Sequence, residues 1–156
     1  MSERVGHVAV IGPGDSATPD QLRAAEEVGA ALAERGAVVL TGGLGGVMHA
    51  ATAGARRAGG LTVGLLPDRD RSRADPDCTV TIPTGLGELR NGLLVRAADA
   101  VVCVGLSWGT LSEVALAMRT GVPVVMLGTW PGPLTGPVSA SSPGEAATLA
   151  VTFAEH

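Results

Sequence analysis

Ala37-Val-Val-Leu-Thr-Gly-Gly-Leu-Gly-Gly-Val-Met48 decides how this chain is read. Its first four residues are a continuous apolar run, too short for a helix and bounded by Gly36 and Gly42. That is the pattern of a strand buried on both faces. The glycines that follow give a tight turn, and the alanine-rich stretch beyond them predicts a helix ending near Gly59-Gly60. A doubly buried strand, a glycine turn and a helix form the repeating unit of a parallel sheet covered by helices.

The same unit recurs in both directions. Upstream, His7-Val-Ala-Val-Ile11 is an apolar run closed by Gly12-Pro-Gly14. Thr18-Pro-Asp-Gln21 then carries the marks of a helix start: a capping threonine, proline at the first helical position and glutamine completing a capping box. That helix is expected to run to about Arg35, with Gly36 as its stop. Downstream, Leu61-Thr-Val-Gly-Leu-Leu66 predicts a third strand and Thr79-Val-Thr-Ile82 a short fourth. A helix is expected over 88–98, a strand at Ala100-Val-Val-Cys-Val104 and a helix over 110–119 stopped by Gly121. Val122-Pro-Val-Val-Met-Leu127 is the next strand. Residues 128–142, rich in Gly, Pro, Ser and Thr, read as a long irregular loop, and Ser142-Pro-Gly-Glu145 opens a short final helix by the same capping logic. The Asp/Arg alternation over 68–77 reads as a solvated loop, with a mobile lid over the site as the lesser alternative. The expectation is an α/β, Rossmann-like three-layer sandwich with a central, mostly parallel sheet, formed as one domain over residues 1–156.

Composition narrows the function. Trp108, Trp130 and Phe153 are the only aromatic residues, so the core must be built from Val, Leu, Ala and Ile. The net charge is −4 and no basic stripe carries interleaved aromatics, which argues against a nucleic-acid groove. The chain contains no lysine, which excludes Schiff-base chemistry and a P-loop lysine. Cys78 and Cys103 are too far apart in sequence for a zinc motif, and Cys103 reads as a core thiol. No signal-peptide pattern or membrane span is visible, so a cytoplasmic protein with neither membrane nor nucleic-acid partner is expected.

In open parallel sheets, ligands bind beyond the carboxyl ends of the strands, and the glycine clusters of this chain fall there. Gly12 and Gly14 follow the first strand; Gly42, Gly43, Gly45 and Gly46 follow the second. Without Cβ atoms such loops let the backbone approach an anion at a helix N-terminus. The spacing is neither the dinucleotide fingerprint nor a P-loop; the same glycines would equally serve tight helix–sheet packing. Gly105-Leu-Ser-Trp-Gly-Thr-Leu-Ser-Glu113 forms a second strand-to-helix loop. There Gly105, Ser107, Gly109 and Thr110 offer backbone amides and hydroxyls, and Trp108 is a ring platform, a lid or an interface residue. Read alone, Thr110-x-x-Glu113 is a capping box. Arg90, followed by Asn91, opens a helix where a cation is mildly unfavourable, which points to a partner: a ligand anion or Glu113. His49 reads as an ordinary helix histidine.

Taken together, these elements resemble the "lonely guy" (LOG) cytokinin-activating phosphoribohydrolases, and most closely their shorter relatives, which include the molybdenum cofactor carrier proteins. The likeness covers roughly Val8 to Leu127. A Gly-Gly-Gly-x-x-Gly-x-Met loop of the LOG enzymes falls on Gly42-Gly-Leu-Gly-Gly-Val-Met48. Their Pro-Gly-Gly-x-Gly-Thr-x-x-Glu motif falls on Gly105 to Glu113, and their Arg-Lys pair on Arg90-Asn91. Two departures stand out: Gly105-Leu106-Ser107 replaces Pro-Gly-Gly, and asparagine replaces lysine, as suits the carrier-like branch.

The resemblance implies a homodimer, a nucleotide-type small-molecule ligand and Arg90 with Glu113 as a catalytic pair. It also places Met48 and Asn91 at the ligand. The activity it implies is hydrolysis of the N-glycosidic bond of a nucleoside 5′-monophosphate, giving free base and ribose 5-phosphate. No metal and no additional cofactor are expected. The alternative is a non-catalytic carrier or sensor of a phosphorylated ligand such as molybdenum cofactor.

Overall fold

The computed structural model describes residues 4–156. Seven strands form one sheet in the order β4-β3-β2-β1-β5-β6-β7: β1 (His7–Ile11), β2 (Val38–Thr41), β3 (Thr62–Leu66), β4 (Val80–Pro83), β5 (Ala100–Cys103), β6 (Val124–Leu127) and β7 (Val138–Ala140). Every strand pair is parallel. Five helices cover it: α1 (Pro19–Glu34), α2 (Val47–Arg57), α3 (Arg90–Ala97), α4 (Trp108–Thr120) and α5 (Pro143–Ala154). Among the described residues no helix is long and apolar enough to cross a membrane.

Strand side chains alternate between two cores, because successive residues point to opposite faces. Val8 and Val10 of β1 pack with Val28 and Leu32 of α1, Val47 and Ala51 of α2, and Ala146 and Ala150 of α5. Ala9 and Ile11 face the other way, onto Leu94 of α3 and Val114 and Ala117 of α4. The layers are therefore α1, α2 and α5 above the sheet and α3 with α4 below it. The buried side chains are almost all Val, Leu and Ala, as the scarcity of aromatics requires.

Local signals act as the sequence reading expects at most element ends. Thr18 caps α1 with the full capping box to Gln21, and Gly121 ends α4 in a left-handed conformation at φ 78°. Two expectations need correction. Residues 128–142 are not irregular throughout: β7 lies inside them and pairs with β6, Leu127 opposite Ala140. The run Val138-Ser-Ala140 is too short to carry a period, and the prolines and glycines before it mask it. The segment 68–77 is not a fully solvated loop either, since Asp75 is buried.

Strand order reverses at β1. Successive strands run outward from β1 to β4, and the chain then returns to lay β5 on the other side of β1, with Val8 opposite both Val39 and Ala100. The loops leaving β1 and β5 part in opposite directions, and a crevice opens between them at the carboxyl edge.

Candidate functional site

A cavity of about 180 Å³ occupies that crevice. Its walls bring together ten of the residues singled out from the sequence: Gly12, Gly14, Gly42, Met48, Arg90, Asn91, Ser107, Gly109, Thr110 and Glu113. Val10, Ile11 and Leu94 complete an apolar floor. The sequence reading did not name Leu94, although it lies one helical turn beyond Arg90 and so shares its face of α3.

Gly12 is fixed by close approach, for any Cβ there would collide with the Val104 carbonyl and the Val47 side chain. The remaining predicted glycines lie outside the cavity. Gly46 is the N-cap of α2 at φ 66° and sits directly on the Gly14 carbonyl, while the α2 amide of Val47 donates to the Pro13 carbonyl at 3.0 Å. The first amide of α2 is thus satisfied by the first loop, Gly46 packs against that loop, and Gly43 packs against Gly64 and Leu66 of β3. Gly45 is exposed, and Gly105 is in contact with the Gln21 side chain.

The second loop is differently built. Helix α4 begins at Trp108, two residues earlier than the sequence suggests, and Ser107 is its N-cap: Thr110 N donates to Ser107 Oγ at 3.2 Å. The two hydroxyls of Ser107 and Thr110 are 2.9 Å apart. The leading amides of α4, Trp108 and Gly109, precede any intrahelical acceptor and stand at the positive end of the helix, where Gly109 lines the cavity. A helix N-terminus of this kind can hold an anion such as a phosphate.

With Ser107 as cap, Glu113 cannot be the capping-box glutamate; the expected Thr110-x-x-Glu113 box does not form. Glu113 instead lies a full turn inside the helix, buried at 8 % exposure, with its carboxyl on the cavity. Burial pushes its pKa up to about 7, against an opposing pull from Arg90.

Arg90 is buried as well, and its own pKa is lowered by burial, with Glu113 opposing. Its guanidinium is anchored by backbone carbonyls: Nη1 donates to Gly42 and, at 2.6 Å, to Leu65, clipping α3 across the ends of β2 and β3. Nε donates to Asn91 Oδ1 at 3.2 Å, and Asn91 Nδ2 donates to Ser112 Oγ on α4 at 3.2 Å. Arg90 and Glu113 therefore face one cavity without forming an ion pair; of the two partners weighed for Arg90, Glu113 is not the one that holds it.

Trp108 stands outside the cavity, 88 % exposed. With Leu89 and Leu116 it borders a shallow hollow of about 490 Å³ that shares Asn91 and Gly109 with the cavity, so the two spaces adjoin. Burial drives the Cys78 thiol up to about 11 and that of Cys103 up to about 12, which disfavours the thiolate at both.

Known proteins share this architecture. The molybdenum cofactor binding protein of Rippkaea orientalis superposes with a TM-score of 0.91 at 37 % identity, covering 97 % of this chain and 99 % of that one. The Moco carrier protein of Chlamydomonas reinhardtii gives 0.87 at 34 % identity, covering 96 % and 98 %. A cytokinin riboside 5′-monophosphate phosphoribohydrolase of Mycobacterium tuberculosis is 36 % identical over 118 residues, which are 70 % of this chain and 63 % of that protein's length. The model of the SLOG cluster4 family matches residues 5–150. The chain belongs to the SLOG cluster4 family, within the LOG-like Rossmann superfamily whose short branch includes the molybdenum cofactor carriers.

Proposed function

We propose that the cavity binds the phosphate and sugar of a nucleoside 5′-monophosphate, and that Glu113 promotes hydrolysis of its N-glycosidic bond. The observation that carries this reading is Glu113 itself: a carboxyl on the cavity, relieved of any capping duty and raised to about 7. A buried group poised near neutral pH in a cleft is what acid–base and electrostatic catalysis use.

The 5′-phosphate sits on the leading amides of α4 and the Ser107 hydroxyl, in the cavity that the Gly12 and Gly42 backbone also lines. A cavity of about 180 Å³ is smaller than the usual ~300–1,000 Å³ of ligand sites. The base therefore extends past Gly109 into the adjoining hollow, against the exposed face of Trp108. Cleavage breaks the bond from C1′ to the base nitrogen; water supplies hydroxyl to C1′ and a proton to the base. Ionised Glu113 stabilises the oxocarbenium-like transition state or takes the proton of the attacking water. Arg90 is too basic to act readily as an acid; its fixed charge instead offsets negative charge developing on the leaving base. The homodimer implied by the family resemblance is part of the same proposal, with sedimentation velocity as its check.

A second reading, a carrier that binds a phosphorylated cofactor without turnover, is supported by the near full-length similarity to the two carrier-type structures. The replacement of Pro-Gly-Gly by Gly105-Leu106-Ser107 also favours it. One experiment separates the two. Purified protein is incubated with a panel of nucleoside monophosphates, and free base and ribose 5-phosphate are followed by mass spectrometry. Release that disappears in Glu113→Gln supports the hydrolase. Absence of release, with nucleotides or a pterin phosphate still raising the melting temperature, establishes the carrier. Neither release nor stabilisation overturns both readings.

A further inference from the structure

His49, Asp75 and Asp77 are not used by the site above, and they converge from two separate parts of the chain. His49 is on α2, while Asp75 and Asp77 lie in the turns between β3 and β4. One ligand atom from each, an imidazole nitrogen and two carboxylate oxygens, all fall within 4.8 Å of one another. Asp75 forms the base of the cluster. Its N–H donates to the Gly43 carbonyl at 2.9 Å, its Oδ1 accepts the Asp77 N–H at 2.9 Å, and the same oxygen stands 3.0 Å from His49 Nδ1. The Asp75 side chain is only 1 % exposed, yet its second oxygen, Oδ2, is buried without any partner.

A buried, unpartnered carboxylate oxygen is costly, and native structures almost always satisfy one with a donor, a water or an ion. One oxygen of the Asp77 carboxylate lies within 4.8 Å of one oxygen of Asp75, so the cluster also concentrates like charge. A donor such as an amide would meet only the first of these demands; a cation meets both. We propose that His49, Asp75 and Asp77 bind a divalent cation of the first transition row. One borderline imidazole nitrogen and two hard carboxylate oxygens suit Zn²⁺ or Mn²⁺, with water in the remaining positions. His49 is half exposed and Asp77 exposed, so the ion enters from solvent and meets the buried Asp75 beneath. The Asp75–Gly43 hydrogen bond makes the consequence local: an ion here pins the 68–77 segment to the glycine loop whose Gly42 lines the main cavity.

The test uses the untagged full chain, stripped with chelator and titrated separately with ZnCl₂ and MnCl₂ by calorimetry, with Mn²⁺ electron paramagnetic resonance as a second readout. The expected result is one saturable ion per chain and a rise in melting temperature on binding. His49→Ala and Asp77→Asn, both at exposed positions that leave the buried Asp75 in place, should each weaken binding by about tenfold or more while retaining the parent circular dichroism. Absence of saturable binding, or affinity unchanged in both variants, overturns the proposal. Neither result depends on whether the main cavity turns over nucleotides.

Discussion

Glu113 is held in a place that favours its neutral form, and its titration should be visible in stability. The folded carboxyl titrates near 7 against an ordinary value of 4.5, so between those limits the folded state keeps a proton that the unfolded state releases. Its favourable contribution is complete below pH 4.5 and is lost as pH rises through 7. Glu113→Gln removes the penalty: above pH 7 the variant should be more stable than the parent by about 3 kcal/mol, the gap closing toward pH 4. Urea titrations across that range check the sign, and a capping glutamate would give the opposite one. If the ionised form is the working one, kcat/KM for nucleotide hydrolysis should climb through pH 7 and level off above it. The sequence was enough to single out Arg90 and Glu113. It could not show that burial outweighs their mutual attraction, because that depends on α3 and α4 closing over the carboxyl edge.

At the scale of elements, the consequential difference is where α4 begins. The sequence reads Thr110 as the cap, whereas the structure caps α4 with Ser107, and that difference decides whether Glu113 points to a backbone amide or into the cavity. The structure selects Ser107, whose extended backbone (φ −138°, ψ 174°) lets its side chain reach Thr110 N. Ser107→Ala should therefore cost about 1 kcal/mol in chemical denaturation and, on the proposed phosphate site, weaken nucleotide binding as well. Thr110→Val at the buried neighbouring position would lose the hydroxyl contact without removing the cap. Helices with caps and long periodic faces were legible in advance, as α1 shows from Thr18 to Gly36. Strand β7 was not, because three residues at a sheet edge are placed by pairing with β6 rather than by their own pattern. The His49–Asp75–Asp77 cluster was hidden for a similar reason: its members are brought together only when the turns after β3 fold back onto α2.

For the whole molecule, small residues set the spacing between layers. Gly54 on α2 faces the Glu26 carbonyl of α1 so closely that a Cβ would overlap it. Alanine normally strengthens a helix relative to glycine by about 1 kcal/mol. Gly54→Ala should nevertheless destabilise this protein by about 1–3 kcal/mol through overpacking, read as a lower denaturation midpoint at unchanged m-value. The reversed strand order has a further consequence, in time. Val8 pairs with Ala100, more than half the chain away, whereas the partners on its other side arrive in sequence through β2. During synthesis at about 5–20 residues per second, one edge of β1 waits on the order of 5–20 s for β5 to emerge. The crevice opens along that same seam, so the proposed ligand site is assembled late, after the β1–β4 half has had time to form, and a ligand bound there would stabilise the join between the early and late halves of the nascent chain.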